Sequence, residues 1–459
     1  MKRIVLLALI CAAVIGGCRK KEAASPSASA VSEQKTLNVF VHMTQLILGD
    51  ELKDESGNTY RDPNTAWLKF AADRFTAQTG VKVSFVGYSS DGAQIKSMLQ
   101  VEDPGLDIFS TGFALTNEEY ARYTAPIISV SDAKAVYDPA LVDVMQQVDG
   151  FVRDMQIAKG YGEAITYNEE VLKEAGYSEI PGDLETFEKM LAAIKANGVT
   201  PISMHRVENW PLSTIAQFAD YVAGEPGVFV KMLKEPTPFA DAAPVGKTLK
   251  LYTTWKSLGY FEQEIYPDFG VAMDSVAYGR AGMMLFGSWV LPQIISRVPS
   301  DTDPDVVKFD AAPDFGKGRW IYVSPNLGWA INKGSKNTEE SKQFIEFLAK
   351  DTEFIVKAGS IPTHKDAPQG APAAFALIDQ HVREGKVKQM VGLPWSQNNV
   401  DNDEVLKEAN ILADNKWAGL PFDALDITRP NDWTAFDAQI ARQNADYDKY
   451  RKDLGVSYK

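Results

Sequence analysis

Short strand-like runs alternate with amphipathic helical runs from Thr36 onward, and this alternation limits the possible folds more than any other feature. The strand-like run Thr36–Val41 is followed by a helical pattern that carries Trp67 on its apolar face and stops at Gly80. The runs VKVSFVGY and GLDIFS then enclose a second helical run, DGAQIKSML. Such alternation predicts an α/β fold with an open, largely parallel sheet. We expect Trp67 to be a core residue.

The same pattern starts again after about residue 160 and predicts a second α/β unit. The run EAITYNEEVLKEAGY reads as a strand leading into a helix, and Asp183 begins an amphipathic helix that Gly198 ends. The run LGWAINKGSKNTEESKQFIEFLA returns to strand, turn and helix, and the last hundred residues have a mainly helical pattern. No long flexible linker separates the two units. We therefore expect two lobes joined by extended crossings of the chain.

The first 35 residues have the features of an export signal followed by a tether. Lys2 and Arg3 precede an apolar run at residues 4–15, and the sequence IGGC at residues 15–18 resembles a lipobox. We expect a lipoprotein signal peptide at residues 1–17, acylation of Cys18, and a flexible Ala/Ser/Pro-rich tether to residue 35. The alternative is an ordinary cleaved signal with an incidental cysteine. Either way we expect an extracytoplasmic protein, and the lipobox predicts lipid anchoring to the cell membrane, at the cell surface or in the periplasm.

Composition and motifs exclude several functions. The two cysteines, Cys11 and Cys18, both lie in the predicted signal, so the exported chain has no disulfide and no thiolate metal site. The formal net charge of −14 argues against nucleic-acid binding. The four histidines lack metal-ligand spacing, and no phosphate loop or nucleophile elbow occurs. We therefore expect no metal, no cofactor and no catalytic residue, although a glycosidase needs only two carboxylates and is not excluded by motif.

Aromatic residues in polar surroundings are the main candidates for ligand binding. Tryptophans near strand ends or in polar loops can cover the C–H face of a sugar ring, while polar side chains pair with its hydroxyls. The polar segments at residues 42–45, 89–92 and 111–113 follow predicted strands, where open α/β sheets bind ligands. The tryptophans in such positions are Trp210, Trp289, Trp329 and Trp395.

Five segments in order resemble the family-1 extracellular solute-binding proteins of ABC importers, the sugar-binding group that includes maltose-binding protein. They are FTAQTGVKVSFV, GLDIFSTGF, the run from ITYNEE to TPISM, GRAGMMLFGSWVLPQI, and LGWAINKGSKNTEESKQFIEFL with GSIPTHKD, and they span nearly all of residues 36–365. The resemblance implies a type II-like periplasmic-binding-protein fold, with a ligand cleft between two lobes joined by a hinge. We expect residues 36–158 plus 327–361 in lobe I and residues 159–326 plus 362–459 in lobe II.

The resemblance also implies roles for particular residues. In this family the tryptophan of the G-S-W segment commonly faces the cleft as a sugar platform, which here is Trp289. The segment NWPL matches one that lies beside the sugar, and DIFSTGF corresponds to the cleft mouth, where small or apolar residues here argue against maltose. The ligand-contacting residues that we expect are Gln45, Asp91, Thr111, Phe113, Glu208, Asn209, Trp210, Trp289, Asn326, Trp329 and Trp395.

A function follows from the resemblance as an expectation. A protein of this kind captures a carbohydrate, here expected to be an oligosaccharide, and delivers it to the permease subunits of an ABC transporter, working as a monomer and catalysing no reaction. Two alternatives remain. One is the same fold binding another solute, such as a polyamine or a glycerol phosphoester, and the other is a secreted glycosidase.

Overall fold

A computed structural model describes residues 34–53, 59–89, 92–101, 105–111, 115–204, 210–262, 268–393, 416–425, 429 and 432–453. The strands are β1 (Thr36–Val41), β2 (Asp50–Lys53), β3 (Thr59–Asp62), β4 (Lys82–Gly87), β5 (Ile108–Ser110), β6 (Ile128–Ser129), β7 (Gln147–Val148), β8 (Phe151–Val152), β9 (Met155–Tyr161), β10 (Ile165–Asn168), β11 (Thr200–Ile202), β12 (Ala281–Met284), β13 (Val307–Asp310), β14 (Trp320–Ile331), β15 (Ile361–Pro362) and β16 (Lys388–Val391).

Helices cover the sheets. They are α1 (Gln45–Leu48), α2 (Trp67–Thr79), α3 (Ala93–Met98), α4 (Asn117–Tyr123), α5 (Val130–Val136), α6 (Pro139–Val144), α7 (Glu169–Glu174), α8 (Leu184–Ala196), α9 (Thr214–Ala223), α10 (Val228–Lys231), α11 (Pro244–Ser257), α12 (Phe269–Ala277), α13 (Leu291–Ile295), α14 (Thr338–Lys350), α15 (Thr352–Lys357), α16 (Ala376–Arg383), α17 (Lys416–Ala424) and α18 (Thr434–Asp453). No helix in the described ranges is long and apolar enough to cross a membrane.

The larger sheet has the strand order β15-β9-β14-β5-β1-β4, with β16 beside β14. The predicted parallel pairing holds for β1 with β4 and for β1 with β5. It does not hold for the whole sheet, because β14 runs antiparallel to both β5 and β9. The expectation of a largely parallel sheet was therefore wrong, and the sheet is mixed. The smaller sheet, β11-β12-β10-β13, is mixed as well.

Predicted helix limits agree with local chemistry. Helix α2 buries Leu68, Ala71, Ala72 and Phe75 on one face, and Gly80 ends it in the left-handed conformation with φ of 75°. Helix α8 begins where the Asp183 carboxylate accepts a hydrogen bond from the backbone N–H of Thr186 at 2.8 Å. Helix α2 therefore ends at Gly80 and helix α8 begins after Asp183, as the sequence indicated.

Strands β9 and β14 cross from one lobe to the other. Ala158 and Leu327 belong to an apolar core that also contains β1, α2 and α14. Tyr161 and Val323, a few residues away on the same two strands, belong to a separate core formed with α12, α13 and β13. The two paired strands therefore connect two α/β lobes.

Candidate functional site

A cavity of about 1170 Å³ lies beside the crossing strands and takes its walls from both lobes. It is larger than a single sugar ring needs and lies somewhat above the usual range of about 300–1,000 Å³ for small-molecule sites. The lining residues are His42, Met43, Gln45, Leu46, Asp50, Thr65, Trp67, Thr111, Gln156, Phe269, Trp289, Leu291, Pro292, Gln293, Ile295, Ser296, Asn326, Leu327, Gly328, Val356, Lys357, Ala358, Ala371, Pro372 and Ala373.

The parallel strands β1 and β5 bring the first wall together. Because the carboxyl ends of parallel neighbours meet at one edge of a sheet, His42 after β1 and Thr111 after β5 lie close. The backbone N–H of His42 donates to Ser110 Oγ at 3.0 Å, and the His42 ring nitrogen Nδ1 lies 2.7 Å from the same oxygen. Burial lowers the pKa of His42 to about 4, so its ring is neutral at pH 7.

A buried carboxylate stands behind this wall. Asp154 Oδ1 accepts hydrogen bonds from Thr111 Oγ1 and from Gln156 Nε2, each at 2.8 Å. Gly328 lies directly beside them: a Cβ at that residue would lie 2.0 Å from Thr111 Oγ1 and 2.2 Å from Gln156 Nε2. Only glycine therefore fits at residue 328. Burial raises the pKa of Asp154 to about 7, and its hydrogen bonds from Thr111, Tyr120 and Gln156 act in the opposite direction.

Trp289 forms part of the opposite wall. A single helical turn, Ser288–Val290, follows the apolar strand β12 and directs the indole into the cavity. The Ser288 hydroxyl oxygen accepts a hydrogen bond from the backbone N–H of Tyr161 at 3.1 Å, which ties this turn to β9. The indole packs against Phe269 and Phe286, with ring centroids 5.7 and 6.0 Å away, yet 39% of Trp289 stays exposed. Trp289 is thus held in place and open to a ligand.

The floor of the cavity is the crossing segment of β14. Asn326 Nδ2 donates to Ser360 Oγ at 2.9 Å, which leaves the side chain fixed at the cavity surface. The next residue, Leu327, has φ of 57°, a left-handed conformation that is uncommon outside glycine. This local strain lies where the chain passes between lobes.

Two tryptophan assignments need correction. Trp67, expected in the core, is half-buried: it packs against the core of its lobe and also lines the cavity, where the Lys357 ammonium lies 5.0 Å from its ring centroid. Trp329, expected at the site, is fully buried in the first-lobe core and does not line the cavity. Side chains alternate along a strand, and Gly328 faces the cavity, so Trp329 points to the other side of β14.

The structure brings Gln45, Thr111, Trp289 and Asn326 together around the cavity. Trp210 begins the helical turn Trp210–Ser213, but its side chain lies outside the described part of the chain. The same holds for Asp91, Phe113, Glu208, Asn209, Trp395 and the predicted acylation site Cys18. The sequence did not identify Gln156, Phe269 or Lys357, since each sits in an ordinary strand or helix pattern. Within the described ranges, no three His, Cys, Asp or Glu side chains are grouped to hold a metal ion.

A family model described as bacterial extracellular solute-binding protein matches residues 71–376, about two thirds of the chain. The chain belongs to this family. Its members are binding proteins of transport systems, and the cavity between the lobes corresponds to that role. No curated protein sequence matches the chain significantly.

Solved structures of solute-binding proteins share the two-lobed fold. A mannobiose complex of a binding protein of an ABC transporter from Bifidobacterium animalis subsp. lactis matches with a TM-score of 0.72 and 19% identity, over 92% of this chain and 95% of that chain. A bacterial solute receptor with an exclusive preference for β-D-galactopyranose matches with a TM-score of 0.66 and 18% identity, over 92% and 100%. A stachyose complex of a sugar transporter from Bacillus licheniformis gives 0.60 and 17%, over 90% and 100%. At these identities the likeness establishes the fold.

Proposed function

We propose that this solute-binding protein captures a carbohydrate, an oligosaccharide, and delivers it to the permease of an ABC transporter. The observation that carries the proposal is a cavity of about 1170 Å³ with one tryptophan on each side, Trp67 from α2 and Trp289 from the turn after β12. Aromatic rings cover the apolar faces of sugar rings, and polar neighbours such as Thr111, Gln156 and Asn326 pair with hydroxyls. The sugar ligands of the similar structures support the same interpretation.

The mechanism in this proposal is closure of the lobes around the ligand, with no chemical step. A ligand that contacts both walls at once stabilises the closed form and shifts the population toward it. A shift from 1:99 to 99:1 requires the ligand to prefer the closed form by about 5.5 kcal/mol. The crossing strands β9 and β14 would then serve as the hinge. The left-handed residue Leu327 and the side-chain contact of Asn326 lie within that segment.

The division into lobes and the anchor belong to the same proposal. We place residues 36–158 plus 327–361 in lobe I and residues 159–326 plus 362–459 in lobe II, which the membership of Ala158, Tyr161, Val323 and Leu327 in two separate cores supports. The lipobox supports lipid attachment at Cys18 and an extracytoplasmic protein held at the cell membrane, which in this proposal works as a monomer. Mass spectrometry of the protein extracted from membranes should find a lipid-modified Cys18 as the N-terminal residue, and an unmodified Cys18 would contradict the anchor.

The test of the binding function is thermal unfolding of the purified protein with a panel of solutes. The panel holds mannobiose, galactose, raffinose and stachyose, with spermidine and glycerol 3-phosphate as representatives of the other solute classes. Saturation at about 100 times the dissociation constant should add roughly 2.7 kcal/mol to the free energy of unfolding. A rise with a sugar supports the proposal. A rise with spermidine or glycerol 3-phosphate alone would contradict it while leaving the fold unchanged.

A further inference from the structure

The imidazole ring of His42 lies at the cavity wall with one of its two nitrogens turned into the protein. Its Nδ1 lies 2.7 Å from the hydroxyl oxygen of Ser110, a fully buried residue that does not line the cavity. The Tyr88 ring packs against the imidazole, with the ring centroids 5.8 Å apart. The other nitrogen, Nε2, has no hydrogen-bond partner in the described part of the chain and is not fully buried. Nε2 is therefore the polar atom that His42 offers to the cavity.

The hydroxyl proton of Ser110 decides which nitrogen of His42 carries a hydrogen. Ser110 Oγ accepts a hydrogen bond from the backbone N–H of His42 at 3.0 Å. Its own proton has one acceptor within reach among the described residues, which is His42 Nδ1. If Nδ1 were protonated instead, the Ser110 proton would be buried without a partner, which is costly. Nδ1 is therefore the acceptor. Burial lowers the pKa of His42 to about 4, so the ring is neutral at pH 7 and Nε2 carries its single proton.

We infer that His42 is a specificity-determining residue whose Nε2–H faces the cavity as a fixed hydrogen-bond donor, so that a bound solute places an oxygen acceptor there. Ser110 is a positioning residue, because it reaches the ligand only through the His42 ring. A sugar hydroxyl or ring oxygen can accept this bond, since each has lone pairs. An ammonium group has protons but no lone pair and cannot accept it. The inference rests on the proposed function and adds a contact that favours oxygen-rich solutes over polyamines.

Nitrogen NMR of the ligand-free protein at pH 7 tests the position of the proton. The spectrum should show a protonated Nε2 and an unprotonated Nδ1 for His42, and His42→Phe identifies these signals among the four histidines. Ser110→Ala removes the hydroxyl that donates to Nδ1, so it should add a population with protonated Nδ1. A protonated Nδ1 in the wild-type protein would overturn the inference. An unchanged tautomer in Ser110→Ala would contradict the positioning role of Ser110.

Calorimetric titration with mannobiose, galactose, raffinose and stachyose tests the contact with the ligand. His42→Phe keeps an aromatic ring beside Tyr88 but has no N–H, so the affinity for each sugar that binds should fall about three- to tenfold, the loss of one hydrogen bond. His364→Phe is the matched control, because His364 is buried against Tyr137 and does not line the cavity. It should leave the sugar affinity unchanged. Wild-type affinity in a folded His42→Phe protein would refute the donor role.

A double-mutant cycle separates the positioning role of Ser110 from a structural one. Ser110→Ala should weaken sugar binding less than His42→Phe does, because the ring keeps its place and loses only its fixed tautomer. Adding Ser110→Ala to His42→Phe should cause no further loss of affinity, since Ser110 acts through the ring that is already replaced. Additive losses would contradict this role. If His42→Phe does not fold, the wild-type protein gives the answer: a saturating sugar should shift the Nε2 resonance, and an unmoved resonance would overturn the inference.

The ligand-free spectrum also distinguishes failure of the inference from failure of the proposed function. If none of the four sugars binds the wild-type protein, the carbohydrate function is what fails. The tautomer of His42 then decides the inference without a ligand: a protonated Nε2 supports it, and a protonated Nδ1 overturns it. Spermidine gives a further check, because it has no oxygen acceptor. Spermidine binding that His42→Phe weakens as much as expected for a sugar would contradict the requirement for an oxygen at this nitrogen.

Discussion

At the residue scale, Trp289 and Trp329 place the same side chain in opposite surroundings, which allows binding to be separated from stability. Trp289 is 39% exposed and lines the cavity, whereas Trp329 is fully buried. Covering roughly 100 Å² of apolar ring surface with a ligand contributes about 2 kcal/mol. Trp289→Ala should therefore weaken carbohydrate binding about thirtyfold, as measured by isothermal titration calorimetry.

Trp329→Ala is the matched control for that substitution. It should lower the free energy of unfolding by about 3–5 kcal/mol, because it leaves a void in a packed core. Its ligand affinity should change little wherever the protein remains folded. Undiminished sugar affinity in a folded Trp289→Ala protein would refute the platform role of Trp289.

Asp154 should make the stability of the ligand-free protein depend on pH. Burial raises its pKa from 3.8 to about 7, so between these values the folded state keeps a proton that the unfolded state has released. Stability should therefore fall as pH rises from about 4 to 7, by up to about 4 kcal/mol from this group. Asp154→Asn removes this titration. Urea unfolding at several pH values should therefore show that the free energy of unfolding of the variant, relative to that of wild type, increases as pH rises.

Other buried groups contribute to the same pH range, but they are common to both proteins. Burial raises the pKa of Glu163 to about 7 and that of Asp220 to about 6, which acts in the same direction as Asp154. Burial lowers the pKa of His42 to about 4, which acts in the opposite direction. Their effects cancel in the difference between wild type and Asp154→Asn. Parallel pH profiles for the two proteins would contradict the assignment to Asp154.

Only part of the site could be predicted residue by residue. Trp289 was expected through the family resemblance, and Thr111 because it follows a predicted strand, β5, which does pair in parallel with β1. Trp67 was expected in the core and packs against it, but it also lines the cavity, and Trp329 was expected at the cavity but lies in the core. Periodicity shows that a side chain lies on an apolar face without showing whether that face contacts the core or a cavity. Gln156 contacts the cavity only because β9 pairs with β14, a neighbour about 170 residues later in the chain.

At the element scale, Phe75 is the largest of the side chains that α2 buries against its lobe. Phe75 is buried, and its ring centroid lies 5.0 Å from that of Phe344 and 5.5 Å from that of Phe347, both on α14. Phe75→Ala should therefore lower the free energy of unfolding by about 3–5 kcal/mol. Phe70→Ala, the same change on the same helix at a half-buried position, should cause less than half of that loss. Equal losses in urea unfolding would contradict the central role of Phe75.

Helices were easier to predict than short strands for a physical reason. Helices α2 and α8 combine an apolar face with terminal residues that make specific capping contacts. The hairpin of β2 and β3, with the sequences DELK and TYRD, has no alternation of apolar residues and was not predicted. Tertiary contacts stabilise this hairpin instead, including a hydrogen bond from Arg297 Nη2 to the backbone carbonyl of Glu51 at 2.9 Å.

At the scale of the whole molecule, the mixed sheet follows from the way the chain connects its lobes. The alternation of strands and helices correctly indicated parallel pairing of β1 with β4 and β5, since these elements follow one another in the chain. It could not indicate β14, which enters this sheet from the other lobe and pairs antiparallel with β5 and β9. Local sequence patterns carry no information about the direction of a strand that returns after a whole lobe.

Because strands β9 and β14 connect the two lobes, a contact between the lobes can contribute to ligand affinity. In the proposed division Arg297 belongs to lobe II and Glu51 to lobe I, so the hydrogen bond between them joins the lobes near the cavity. Arg297 is also fixed within its own lobe by Asp274, whose Oδ1 lies 3.2 Å from Arg297 Nε. A bond that forms only when the lobes are close adds to the stability of the closed form, whichever ligand is bound.

Arg297→Gln should therefore lower the affinity for every ligand by the same factor, about three- to tenfold for the loss of one hydrogen bond. Arg61→Gln is the matched control, because Arg61 pairs with the Glu51 side chain at 2.7 Å within one lobe. Calorimetry should show the loss only for Arg297→Gln, and small-angle X-ray scattering should show fewer closed molecules at the same ligand concentration. Equal effects of both substitutions would mean that Arg61 and Arg297 only stabilise the hairpin of β2 and β3. A change in the preference between ligands would instead place Arg297 in direct contact with the solute.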